Sequence, residues 1–112
     1  MNKLLFAVPF AVPLLIVGIG AVMMAAPQEK DAKQVYLDKC SVCHGEDGKG
    51  QTAKGKKLKV KDVSSADVKK MTDADFLNAV LKGKGQDMDG FEKELGADMC
   101  KKISTYMRSL AK

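Results

Sequence analysis

The chain has 112 residues, 46% of them apolar, with 19 basic and 14 acidic side chains and a formal charge of +5. Aromatic residues make up only 5% of it and tryptophan is absent, so with so mild a charge a nucleic-acid-binding domain is excluded. Beyond the first 26 residues roughly 85 remain, one small domain, and a chain of that size buries only about 60% of its unfolded surface, so a staple is expected.

Lys3 and the uncharged apolar run from Leu4 to Ala26 read as a targeting segment. About 23 residues exceed the usual core of a signal peptide and could span a bilayer of ~30 Å, Pro9 and Pro13 notwithstanding. A cut after Ala26 would put Met24 where a small residue belongs and Pro27 just beyond it. Residues 1–26 are therefore a signal peptide or an N-terminal membrane anchor. Either way the domain lies outside the cytoplasm, in the periplasm, soluble or anchored to the inner membrane. Residues 27–33 form a charged linker, and 34–112 the domain.

The first helix is predicted from Asp31 to about Val42, with Val35, Tyr36 and Cys40 at helical spacing. Gly45 to Gly55 reads as glycine-punctuated loop. Lys49, Lys54, Lys56, Lys57, Lys59 and Lys61 crowd the next stretch. They are either a solvated loop or a docking face for an acidic partner. A minor helical turn is expected over Ser65–Lys70. Thr72 is the predicted N-cap of the second main helix, with Asp75 three residues on, and Gly83 and Gly85 stop it. The third main helix covers Ala97–Leu110, with Met99, Cys100, Ile103, Tyr106, Met107 and Leu110 as its apolar stripe. Strand signals are weak, so the fold class is all-α.

The chemistry is concentrated in Cys40-Ser41-Val42-Cys43-His44, a C-x-x-C-H run and the attachment signature of a c-type haem. Two thiols three residues apart on a helical turn face the same way and can form thioethers to the haem vinyl groups. The next residue, His44, can aim its imidazole at the iron, and it is the only histidine. Three other readings compete. A dithiol redox centre usually sits near a βαβ pattern, and none is visible. Zinc held by Cys40, Cys43, Cys100 and His44 would need adjacent residues as joint ligands of one small ion. A Cys40–Cys43 disulfide would leave His44 without a purpose.

From residue 30 onward the chain resembles the small monohaem class I cytochromes c, including the bacterial c5, c6 and c555 types. The resemblance rests on Cys40 to His44 followed by Gly45, on Tyr36 four residues earlier, and on the closing segment Ile103 to Leu110. It implies a cytochrome c fold, three main helices wrapped around one haem c bound covalently through Cys40 and Cys43. It implies that the first and last helices cross, with Ala32 and Tyr36 meeting Tyr106. A methionine in the loop before the last helix is implied as second axial ligand to His44, and Met88 occupies that place. The family often follows this methionine with proline, where Asp89 stands here. It also often supplies a proline carbonyl to the histidine Nδ1 proton. No proline follows Pro27, so a carbonyl of residues 54–60 is expected to serve.

The activity so implied is that of a single-electron carrier, not an enzyme, shuttling between redox proteins as a monomer. An exposed haem edge is expected beside Cys40 and the lysine-rich stretch, with Lys56 and Lys57 among the groups that meet an acidic partner. If Met88 does not stay on the iron, the alternative is a haem-based ligand binder, a sensor or a weak peroxidase. Cys100, on an apolar stripe, is expected to be a buried small hydrophobe.

Overall fold

The computed structural model describes residues 9–13, 18, 20, 21 and 31–112. The expected leader over 1–26 falls mostly outside the described residues, and among those described no helix is long and apolar enough to cross a membrane.

Asp31, in extended backbone, opens α1 (Ala32–Lys39), its carboxylate accepting the Lys33 N–H at 3.2 Å. Val35 and Tyr36 are the buried residues of this helix. The helix does not run unbroken to Val42 as the spacing predicted. At Cys40 the backbone turns to φ −112°, ψ −33°, and the short α2 (Ser41–His44) begins there, its first turn closed by the His44 N–H on the Cys40 carbonyl at 2.9 Å. The C-x-x-C-H run is therefore a helical turn of its own, set off from the helix that carries Tyr36.

The segment expected to stay irregular as far as Gly55 winds instead into α3 (Ala53–Lys57). Thr52 is its cap: Oγ1 accepts the Gly55 N–H at 2.8 Å and donates to the Val42 carbonyl at 2.7 Å. One hydroxyl thus starts α3 and moors it to α2. Lysines and glycines without apolar periodicity give no helix signal, and five residues are too few to be helical on propensity alone. The cap and the docking on α2 make this helix.

The expected turn near residue 66 is α4 (Ala66–Lys69), capped by Ser65. Thr72 caps α5 (Asp73–Lys82) as predicted, accepting the Asp75 N–H at 3.1 Å, and α5 buries Phe76 and Val80. A two-residue antiparallel ribbon follows, β1 (Gly83–Lys84) with β2 (Met88–Asp89), Lys84 opposite Met88. Gly83 permits it: φ is +87°, and a Cβ there would stand 2.3 Å from the Met88 carbonyl oxygen. Met88 is thus held on a hairpin rather than in an open loop. α6 (Glu92–Leu95) follows, and α7 (Ala97–Ser109) closes the domain with Cys100, Ile103, Ser104 and Met107 buried.

The three main helices are α1, α5 and α7, as expected, and α7 packs on both others. At the α1–α7 crossing the Tyr36 and Tyr106 rings meet edge to face, centroids 5.3 Å apart. Ala32 is partly buried against the core. Lys39–Glu94 and Lys82–Glu92 ion pairs tie α6 to α1 and α5 at the exposed surface.

Candidate haem-binding site

A cavity of about 560 Å³ opens between α2, the segment after α3, α5, the hairpin and α7. Cys40, Cys43, His44 and Met88 all line it. Its walls are largely apolar, with Val63, Val68, Phe76, Val80 and Ile103 among the buried side chains facing it. Met71 and Met107 line the same cavity, so two further thioethers share the space that sequence position reserved for Met88. Val42, on the cavity wall, remains 58% exposed, which marks an apolar edge open to solvent.

The donors suit an iron porphyrin. Burial lowers the pKa of His44, so its imidazole stays neutral and keeps a lone pair for a metal. Its Nδ1 is buried without a hydrogen-bond partner. A carbonyl of residues 54–60 was expected to accept that proton, and none does. Three of those carbonyls, of Lys54, Gly55 and Lys56, accept instead from the N–H groups of Leu58, Val60 and Lys59.

Two competing readings lose ground. Burial pushes the Cys40 thiol up to about 11, the opposite of the depressed value that a reactive dithiol needs. Among the described residues no three His, Cys, Asp or Glu side chains gather as a metal site, which gives the zinc reading no support. No disulfide joins Cys40, Cys43 or Cys100, and Cys100 is fully buried.

The turn holding these groups is fastened from behind. The Tyr36 hydroxyl donates to the Gly45 carbonyl at 2.5 Å, joining α1 to the residue that ends α2. Sequence reading found Tyr36 as a crossing aromatic but missed this bond. Replacing Tyr36 with Phe should cost about 1 kcal/mol in denaturant unfolding. Burial also pushes the phenol well above its usual 10.0. The fold therefore favours the neutral phenol, a contribution complete below pH 10 and lost as pH rises through the raised value. Alkaline destabilisation of the native chain should accordingly be weaker in Tyr36→Phe, as melting temperatures against pH would show.

Charge at the cavity differs from expectation in detail. Lys39, Lys54, Lys59, Lys61 and Lys84 line it, together with Asp67, Asp87 and Asp89, whereas Lys56 and Lys57 do not. Lys61 pairs with Asp67 at 3.2 Å.

A family model described as cytochrome c oxidase, cbb3-type, subunit III matches residues 27–107. Among solved structures, the KustC0563 c-type cytochrome is similar with a TM-score of 0.67 and 26% identity, covering 74% of this chain and 100% of its own. Cytochrome cL from Hyphomicrobium denitrificans shares the fold with a TM-score of 0.58 at 22% identity, over 73% of this chain and 46% of its own. No curated protein matches the chain in sequence. With its single C-x-x-C-H turn on the wall of an apolar cavity, the chain belongs to the family described as cytochrome c oxidase, cbb3-type, subunit III, and is a small class I cytochrome c.

Proposed function

We propose that the chain carries single electrons between redox proteins outside the cytoplasm, on one c-type haem attached through Cys40 and Cys43. His44 and Met88 are the axial ligands in this reading. The observation that supports it is that the α2 turn and the hairpin methionine, distant in sequence, line one apolar cavity. When bound, the haem supplies an iron that exchanges one electron, at a potential raised by methionine ligation.

The chain's own residues do the rest. Cys40 and Cys43 would hold the haem at the α2 turn. Neutral His44 and the Met88 thioether would hold its iron, which would leave no position for a substrate. The apolar walls keep water from the metal and limit reorganisation on electron exchange. Partial exposure of Val42 and Cys43 leaves one edge near solvent as the electron port.

Two measurements test this. A potentiometric titration of the loaded protein should follow a one-electron curve, and the ferrous form should not bind carbon monoxide at neutral pH. A carbon monoxide complex would instead favour the ligand-binding reading. That second reading draws on the hairpin tip, where residues 84–87 are all exposed, and on Asp89 in place of a stiffening proline.

The lysines at the cavity fit an acidic partner. Reversing Lys59 and Lys61 to Glu should slow oxidation by anionic hexacyanoferrate on the order of tenfold at low salt, with the difference shrinking as salt rises. Equal rates in variant and native protein would sink the docking role.

A further inference from the structure

We infer that Arg108, which does not line the cavity, is a positioning residue for it. Its guanidinium fixes the wall made by Val68, Met71 and Phe76 and the start of the helix that carries the Met88 hairpin. The inference rests on reading the cavity as a haem site.

Arg108 reaches back from the last turn of α7. Nη1 donates to the Val68 carbonyl at 3.3 Å and Nη2 to the Met71 carbonyl at 2.8 Å. Nε and Nη2 meet Asp73 Oδ1 at 3.1 and 2.9 Å. The guanidinium carbon stands 5.1 Å from the Phe76 ring centroid. Val68, Met71 and Phe76 all line the cavity. One side chain thus binds three successive parts of that wall, the end of α4, the bend at Met71 and the first turns of α5.

The geometry requires a fork. The Val68 carbonyl already accepts the Met71 N–H at 3.1 Å, and the guanidinium, with five donors in one plane, adds a second bond there while also reaching the Met71 carbonyl. A lysine ammonium carries the same charge on a flexible stem without that plane. The Asp73 bridge contributes little by itself, because that carboxylate is 93% exposed while the Arg108 side chain is only 28% exposed. The carbonyl bonds and the ring contact carry the clamp.

The effect extends to the iron ligand. α5 runs from Asp73 directly into Gly83 and β1. The far end of the hairpin returns to the same helix, where the Phe91 N–H donates to the Val80 carbonyl at 2.9 Å. A tilt at the first turn of α5 therefore shifts both strands of the hairpin and Met88 with them.

The test compares the haem-loaded native protein with R108K, R108Q and D73N, reading haem content, reduction potential, the near-infrared band of thioether ligation and melting temperature. The expected result is full haem content throughout, with a lowered potential and a weakened thioether band in R108K and R108Q, and native values of both in D73N. Native potential and band in R108K and R108Q, whatever their melting temperatures, would overturn the inference. Complete restoration by R108K would overturn it too, assigning the effect to charge rather than to the fork. Should R108Q not fold, R108K against D73N decides the matter alone. Native protein that takes up no haem would instead strike the reading of the cavity, a result distinct from either.

Discussion

Met88→Ala is expected to leave the haem attached but to open one axial position of the iron. In the proposed reading the covalent hold lies with Cys40 and Cys43 at the α2 turn, whereas Met88 stands on β2 in a separate hairpin, so the two roles should separate genetically. The near-infrared thioether band should vanish, carbon monoxide should bind the ferrous form at neutral pH, and the potential should fall by a sizeable part of the about 0.8 V that axial ligation commands. Met71 and Met107 line the same cavity and are the internal controls. Alanine at either should leave the band in place. A band that survives Met88→Ala and disappears in Met71→Ala would transfer the ligand assignment to the bend before α5.

Gly55→Ala should be among the most damaging single methyls in the domain. Gly55 is buried inside α3, and a Cβ there would lie 2.2 Å from the Cys43 carbonyl oxygen, 2.6 Å from the Gly50 carbonyl oxygen and 2.9 Å from Thr52 Oγ1. Two of those three obstacles are backbone, so no rotamer change relieves them. α3 must lift from α2, which takes the Thr52 bonds to the Val42 and Cys43 carbonyls with it. Overpacking of this kind costs about 3 kcal/mol, the upper end of its usual range, because the backbone must give way. Thr52→Ala removes the cap and the mooring without a clash and should cost about 1–2 kcal/mol. Denaturant unfolding of the loaded proteins would show both. A Gly55→Ala midpoint within error of the native one would mean that α3 does not sit against the attachment turn as described.

Much of this site is legible in the chain because its signals are local. The C-x-x-C-H run needs only five neighbouring residues, and it forms one turn, Ser41–His44. Thr72 and Gly83 bracket α5 through bonds within a few residues of each end. The stripe on α7 and the Tyr36–Tyr106 crossing follow from helical periodicity together with the family resemblance. What escaped reading is made by residues far apart. α3 carries no apolar period and exists through a threonine that bonds back to α2. Thr52 ahead of Ala53 was a cap signal of the usual kind, obscured by the glycines on either side. The hairpin is two residues per strand, below what alternation can register. Arg108 reads as an ordinary terminal cation of the last helix, and only the fold brings it to carbonyls 37 and 40 residues earlier. The unpartnered Nδ1 of His44 likewise depends on where the α3 carbonyls point, which no motif states.

Covalent attachment of one haem through Cys40 and Cys43 is read from haem retention after denaturation. The native chain and Cys40→Ala/Cys43→Ala would be produced with a haem-attachment system, extracted with acidified acetone and weighed by mass spectrometry. The native chain should keep the mass of one haem and its narrow ferrous bands, and the double variant should keep none. Haem that leaves the native chain on extraction, or a native mass without haem and two hydrogens short from a Cys40–Cys43 disulfide, would contradict it.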